Sequence, residues 1–167
     1  MRIVNGRLLK GEVFERLVNP RRSIKRESMR IHGIDGRTLA DEPPIAQVLP
    51  AFHRFCEETV LVAHNAAFDM RFLELKEAAT GVRFAQPVLD TLLLSALLHP
   101  HQESHSLEAI AQRLGVEIVE RHAALGDALV TAEVFLRMIP LLLAAGIETL
   151  GQARAAAQRT YYARLSY

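Results

Sequence analysis

Several residue types that define particular protein classes are scarce in this sequence. Cys56 is the only cysteine among 167 residues, which excludes an internal disulfide and a multi-cysteine zinc site. Tryptophan is absent and aromatic residues make up 6% of the chain, so aliphatic side chains must fill the core. No apolar run reaches the roughly 18 residues that span a bilayer, and residues 1–20 lack the apolar stretch of a signal peptide. These absences predict a cytoplasmic protein with no membrane partner.

An excess of charge of one sign is also missing. The formal net charge is +1 and the isoelectric point is about 8.0. A protein that coats nucleic acid without sequence preference usually has a larger positive excess. A small basic patch beside one strand end needs no such excess, so the charge balance neither requires nor excludes a nucleic-acid partner.

The hydrophobic pattern changes along the chain. The first forty residues look extended, with a hairpin predicted at Asn5-Gly6, alternation over residues 12–18 and a basic loop at residues 21–26. Beyond Pro43, one helical face over residues 45–55 and two short apolar segments, 59–63 and 87–89, are visible. Further helices are predicted over residues 67–79, 91–98, 106–114, 125–143 and 147–163. Strands followed by helices that alternate with short buried strands indicate a layered α/β fold.

A first candidate site follows the apolar segment 59–63 and reads His64-Asn65-Ala66-Ala67-Phe68-Asp69. Asp69 shares a helical face with Phe72 and Leu73, so its carboxylate is expected to point toward the core. A buried charge is costly unless a cation or hydrogen bonds satisfy it. A first-turn aspartate that is stabilised by the helix dipole explains the same pattern without a ligand.

A second candidate site reads His122-Ala123-Ala124-Leu125-Gly126-Asp127. Asp127 lies on the apolar line of a predicted helix, together with Val130 and Val134, and the small residues before it allow close backbone approach. His122 has the ordinary pKa range of a general base near neutral pH. The alternative is a helix-start aspartate beside a surface histidine.

Two inward-facing aspartates in one small domain favour a shared metal site. Carboxylates are preferred ligands of Mg²⁺ and Mn²⁺. Two such ions about 4 Å apart bind both the attacking and the leaving oxygen of an in-line phosphoryl displacement. Asp69 and Asp127 therefore indicate phosphoryl-transfer chemistry, with His122 placed to take a proton from water.

The two motifs resemble the second and third motifs of the DEDD-type 3′–5′ exonuclease family, in its His-containing branch. They are similar to those of the proofreading epsilon subunits of bacterial DNA polymerase III. Three further segments are similar to that family: Ile31-His32-Gly33-Ile34, Leu89-Asp90-Thr91 and His105-Ser106-Leu107. The resemblance runs from about residue 2 to about residue 143.

This resemblance implies a ribonuclease-H-like three-layer α/β fold, in which helices flank a mixed sheet. It also implies an enzyme that cleaves phosphodiester bonds at the 3′ end of single-stranded DNA or RNA with two Mg²⁺ or Mn²⁺ ions. The residues carried over are Asp69 and Asp127 as metal ligands, His122 as general base, His32 and Ile34 beside the terminal sugar and base, and Asn65 and Phe68 in the pocket wall.

The family's first motif, D-x-E, does not occur in the sequence. The earliest aspartate is Asp35, and neither Glu12 nor Glu15 belongs to such a triplet. Residues 1–6 resemble the family's second strand, so the fold is expected to be N-terminally truncated by about one strand. Half of the metal ligands are then missing, and this chain is expected to be impaired in catalysis.

A strand missing from inside a sheet leaves backbone groups on both neighbours unpaired, at a cost of about 1–3 kcal/mol for each buried group. Three arrangements avoid this cost. The natural chain begins upstream of Met1, which is the favoured hypothesis; a partner chain lends a strand; or the two neighbouring strands pair directly.

The predicted organisation is an exonuclease domain over residues 1–145 and a C-terminal helix over residues 146–167. That helix is expected to pack on the domain or to form an interface, which allows a homodimer. The alternative function is a non-catalytic nucleic-acid-binding or dimerising module on the same fold.

Overall fold

The computed structural model describes residues 1–118 and 123–165, with the backbone alone for residues 162–165. Short strands come first and helices then alternate with two further strands, as the hydrophobic pattern predicts. No helix in these two ranges is long and apolar enough to cross a membrane. The elements are β1 (Arg2–Val4), β2 (Arg7–Leu9), α1 (Arg26–His32), α2 (Ile45–Phe55), β3 (Leu61–Ala63), α3 (Ala66–Glu74), α4 (Glu77–Thr80), β4 (Val88–Asp90), α5 (Thr91–Leu98), α6 (Leu107–Leu114), α7 (Ala124–Ala144) and α8 (Leu150–Leu165).

The strands form two separate pairs. β1 and β2 are antiparallel, and the turn between them places Asn5 at φ 50° and Gly6 at φ 72°, which a type I′ hairpin requires. β3 and β4 are parallel, with Ala63 opposite Asp90. No ladder joins the two pairs within the described residues. Of the three arrangements, direct pairing of the two neighbouring strands is therefore not observed among the described residues.

A different contact holds the β1–β2 hairpin in place. The Arg2 guanidinium donates to the Phe55 carbonyl at 2.7 Å and lies 4.9 Å from the centre of the Phe55 ring. The Phe14 ring lies 5.4 Å from Phe52 and 5.8 Å from Phe55. These contacts attach the hairpin and the following segment to α2, and β2 also contacts α7.

The main core lies among the four C-terminal helices. Leu94, Ile110, Val134 and Met138 are fully buried, with 0% exposure. α5 packs against α7 and α8, and α8 also contacts β4. The face of α8 that packs inward consists of small residues, Ala153, Ala156 and Ala157. They let the backbones of α5 and α8 approach closely.

Three local predictions differ from the structure. Residues 12–18 form no strand, since no neighbouring strand offers them a ladder. Helix α1 occupies residues that the sequence suggested were extended, and it ends at Gly33, which has φ 71°. The predicted helix 67–79 is divided into α3 and α4 at Leu75 and Lys76.

Candidate active site

The first candidate motif lies where β3 ends and α3 begins. Asn65 adopts a left-handed conformation, with φ 59° and ψ 49°, which asparagine tolerates better than most residues. This sharp change of direction turns the chain from the strand into the helix. Ala66 follows with 4% exposure, and its small side chain allows the first turn of α3 to lie against the strands.

Asp90 holds that first turn in place. One carboxylate oxygen accepts the backbone N–H of Asn65 at 3.0 Å, and the other accepts that of Ala66 at 3.0 Å. The first oxygen also accepts the N–H of Leu92 at 2.9 Å and so caps α5. Asp90 is thus the N-cap of α5. Its bonds to α3 were not foreseen, although both strands end at the same edge, where Ala63 lies opposite Asp90.

A chain of hydrogen bonds fixes the ring of His64. The Thr91 hydroxyl lies 3.3 Å from the Ala63 carbonyl and 3.0 Å from Nδ1 of His64. Since a carbonyl only accepts, the hydroxyl donates its one proton to Ala63 and accepts from Nδ1–H. This arrangement leaves Nε2 of His64 as the acceptor nitrogen.

Burial lowers the pKa of His64 below its usual range. The carboxylates of Asp90, Glu108 and Asp69 act in the opposite direction. The ring is therefore neutral at pH 7 although three acidic groups surround it, because loss of hydration outweighs their attraction. Sequence reasoning missed this residue as a contributor to the electrostatics of the site.

Asp69 lies in the first turn of α3, as predicted, but on an exposed face. The expectation that this face points into the core is wrong, because Phe72 beside it is 53% exposed. α3 instead contacts β3 and β4 and buries Ala66. Partial loss of hydration still raises the pKa of the Asp69 carboxyl, and the Asp90 carboxylate raises it further; its own backbone N–H and His64 lower it.

The two predicted pocket residues beside Asp69 are also exposed. Asn65 lies on the surface, and Phe68 is 63% exposed. The Phe68 ring lies 4.9 Å from that of Phe72, so the two rings form an apolar patch on α3 next to the Asp69 carboxylate.

Asp127 lies in the first turn of α7 and is half-buried. Its backbone N–H donates to the Ala123 carbonyl at 2.9 Å. Gly126, Val130 and Val134 on the same helix are buried. α7 contacts β3, the strand that leads into α3, so the helices that carry Asp69 and Asp127 pack on one strand.

Three predicted site residues remain, and they belong to other parts of the sequence than β3 and α3. His122 lies outside the described residues. His32 is the last residue of α1, and its Nδ1 accepts the backbone N–H of Ile34 at 3.0 Å. His32 is exposed and Ile34 is half-buried.

The two aspartates supply part of what a divalent ion requires. Asp69 and Asp127 offer hard carboxylate oxygens, which suit Mg²⁺ and Mn²⁺, and the raised pKa of Asp69 indicates a carboxylate that a cation would stabilise. Across residues 1–118 and 123–165 no three His, Cys, Asp or Glu side chains form a group that could hold a metal ion. Asp69 and Asp127 thus suit a divalent ion in donor chemistry, but the described residues do not by themselves form a metal site.

Comparison with known proteins identifies the family. The Exonuclease (RNase T) family model matches residues 1–135. A DNA polymerase III subunit epsilon-like protein of Rhodobacter capsulatus is 53% identical over 153 residues, which cover 90% of this chain and 22% of that protein. The DNA polymerase III PolC-type protein of Thermotoga maritima is 37% identical, over 91% of this chain and 11% of that protein.

The fold agrees with this assignment. Exonuclease X, solved in complex with 5′ overhanging duplex DNA, is similar with a TM-score of 0.74 and 25% identity, covering 93% of this chain and 86% of that chain. This similarity confirms the predicted ribonuclease-H-like α/β fold.

The curated relatives are much longer than this chain, which spans 22% of the epsilon-like protein and 11% of the PolC-type protein. The exonuclease family generally uses divalent metal ions. With the family model covering residues 1–135 and the two motifs in order on β3–α3 and at the start of α7, the chain belongs to the RNase T exonuclease family.

Proposed function

We propose that this chain is a 3′–5′ exonuclease domain that hydrolyses phosphodiester bonds at nucleic-acid 3′ ends and releases nucleoside monophosphates. The observation that carries the proposal is the placement of Asp69 and Asp127, each in the first turn of a helix that packs on β3. The DNA in the structure of exonuclease X supports a nucleic-acid partner. The proposed location is the cytoplasm.

Asp69 and Asp127 would hold divalent metal ions, Mg²⁺ or Mn²⁺. When bound, such ions lower the pKa of the attacking water and stabilise the leaving 3′ oxygen. His122 takes the proton of that water in this proposal. The hydrogen bonds from the N–H groups of Asn65 and Ala66 to the Asp90 carboxylate support the proposal, because they keep the helix that carries Asp69 in one position.

The 3′ end of the substrate is assigned to four further residues. His32 and Ile34 line the terminal sugar and base, and Asn65 and Phe68 shape the pocket. The exposed Phe68 ring supports this role, because an aromatic face beside a carboxylate can stack on an unpaired base.

The proposal includes impaired turnover, since the 167 residues contain no D-x-E triplet. Two carboxylates leave most of the coordination sphere of two divalent ions to water, which weakens metal binding. A 5′-labelled single strand with Mn²⁺ should therefore show little shortening when it is incubated with this chain. Strong shortening that depends on Asp69 would contradict the incomplete-site argument.

The decisive experiment adds an N-terminal strand that carries Asp-X-Glu. The extended protein should shorten the labelled strand stepwise from its 3′ end. The Asp69→Asn variant of the extended protein should lose about a hundredfold or more of that activity, as a loss of several kcal/mol of charge stabilisation predicts. An extended protein that leaves both DNA and RNA strands intact would refute the exonuclease proposal.

A second candidate is a non-catalytic module that binds nucleic acid or dimerises on the same fold. The missing D-x-E triplet and the lack of a three-ligand group in the described residues favour it. Affinity for a single strand that does not respond to Mn²⁺, with no shortening by either protein, would select this candidate. Sedimentation equilibrium then tells a dimer from a monomer.

A further inference from the structure

Five cationic side chains lie within ten residues of the chain, shortly before His32 and Ile34 in the sequence. We call Arg21, Arg22, Lys25, Arg26 and Arg30 the basic segment. All five are exposed, and Glu27 is the only acidic residue between Arg21 and Arg30. Within the described parts of the chain, none of the five side chains forms an ion pair.

The charges of this segment oppose the local electrostatics of α1. Lys25 is the N-cap and Arg26 the first helical residue, where the positive end of the helix dipole disfavours cations. Arg26 and Arg30 are four residues apart on the same face and repel each other. α1 has seven residues and buries none of them. The local electrostatics of α1 thus disfavour these charges, which supports a role for them in binding an anion.

The start of the basic segment is hydrogen-bonded to a distant part of the chain, and its end is closed by the last hydrogen bond of α1 itself. Asn19 donates to the Ala40 carbonyl at 2.9 Å and accepts the N–H of Arg21 at 2.8 Å. At the other end, the N–H of Gly33 donates to the Met29 carbonyl at 2.9 Å. The backbone is thus fixed at the start of the segment, which reduces the entropy lost there when a partner binds.

We propose that the basic segment binds the sugar–phosphate backbone of the single strand whose 3′ end reaches His32 and Ile34. This inference rests on the proposed function for the identity of the strand. A row of cations along the chain fits a linear polyanion, in which successive phosphates are contacted one by one. Ile31 is the only large exposed apolar residue of α1, so the helix lacks the apolar face that membrane binding requires.

The test replaces four of the cations by glutamine: Arg22→Gln, Lys25→Gln, Arg26→Gln and Arg30→Gln. Arg21 is left unchanged because it has φ 50°. The control variant carries Lys10→Gln, Arg54→Gln, Lys76→Gln and Arg137→Gln, which are also exposed and change the net charge equally. Fluorescence anisotropy of a 5′-labelled single-stranded oligonucleotide, without divalent metal, measures affinity at several salt concentrations.

The basic-segment variant should bind at least about tenfold more weakly at low salt. Its slope of log affinity against log salt should fall in magnitude by about 2 to 3, because each phosphate of a single strand that the protein no longer neutralises lowers the slope by about 0.7. The control slope should change by less than about 1. Equal changes in the two variants would overturn the inference.

A second probe separates other anionic partners. Vesicles of phosphatidylcholine with phosphatidylserine should bind the two variants equally. If the basic-segment variant loses vesicle binding but keeps its affinity for the oligonucleotide, the nucleic-acid assignment is wrong.

The two proposals can fail separately. If the protein extended with Asp-X-Glu leaves the strand intact while the slopes still differ, the exonuclease function fails and the basic segment stands. If the strand is shortened while both variants keep the wild-type slope, the basic segment fails and the exonuclease function stands.

Discussion

The Asp90 carboxylate accepts the backbone N–H of Ala66 at 3.0 Å, and this bond joins the end of β4 to the first turn of α3. The same carboxylate accepts the N–H groups of Asn65 and Leu92. One side chain thus sets the start of two helices, and one of them carries Asp69. The position of the Asp69 carboxylate depends on a residue that lies far from it in the sequence.

Replacing Asp90 by alanine should lower the free energy of unfolding by about 2–4 kcal/mol, because hydrogen bonds to a charged acceptor and a helix cap are removed together. Asp90→Asn should have a smaller effect, since one oxygen still accepts. Urea denaturation measures both. Asp41 is exposed, and Asp41→Asn should change stability by less than about 0.5 kcal/mol. Equal losses of stability in the Asp90 and Asp41 variants would show that the hydrogen bonds to Asp90 do not stabilise the fold.

Stability should decrease as the pH falls below the ordinary pKa of histidine. Burial lowers the pKa of His64, so the unfolded chain takes up the proton at a higher pH than the folded chain does. The contribution of His64 is complete above pH 6.5, the ordinary pKa, and is lost as the pH falls from there through the folded pKa. The slope should stay well below the limit of about 1.4 kcal/mol per pH unit for one proton, because water still reaches part of the ring.

The His64→Asn variant tests this assignment by urea denaturation at pH 7.5 and pH 5.5. Its stability should depend less on pH than that of the wild type. His99 also has a pKa lowered by burial. The pH dependence of stability in His99→Asn is therefore measured as well, so that the contributions of the two histidines are separated. An unchanged pH dependence in His64→Asn would show that His64 does not titrate as described.

Removing the charge of Asp69 should stabilise the protein at neutral pH. The folded pKa of this carboxyl is raised by loss of hydration, so its ionisation is less favourable in the folded state, and stability falls as the pH rises from 3.8 through the folded pKa. Asp69→Asn should raise the melting temperature by about 1–2 °C at pH 7, and the gain should vanish below pH 3.8. A lower melting temperature at pH 7 would show that the ionised carboxylate is stabilised.

The exposed rings of α3 should contribute little to stability. Phe72 is 53% exposed, so Phe72→Ala should cost less than about 1 kcal/mol, because the ring removes little apolar surface from water. Phe52 lies 5.4 Å from Phe14 and 5.7 Å from Phe84; Phe52→Ala should cost about 2–3 kcal/mol. Thermal denaturation of the two variants compares them directly. Similar decreases in stability would mean that the α3 face is covered.

The site was predictable in part. Asp69 and Asp127 each lie in the first turn of a helix, as the motif spacing indicates, because Asn65 is a local signal for the junction of β3 and α3 and small residues begin α7. The orientation of Asp69 was not predictable. Helical periodicity groups Asp69 with Phe72, but it does not tell which elements cover that face.

The amino-acid sequence by itself determined the hairpin at Asn5 and Gly6, most helices, the order of the two motifs and, through them, the family. These features depend on neighbours within a few residues, since a turn, a cap or a helical face is a local property. The tertiary structure alone decided that the strands form two unconnected pairs, that Asp69 and Phe72 face outward and that Asp90 holds α3. Those features depend on contacts between residues distant in the chain, which no local pattern specifies.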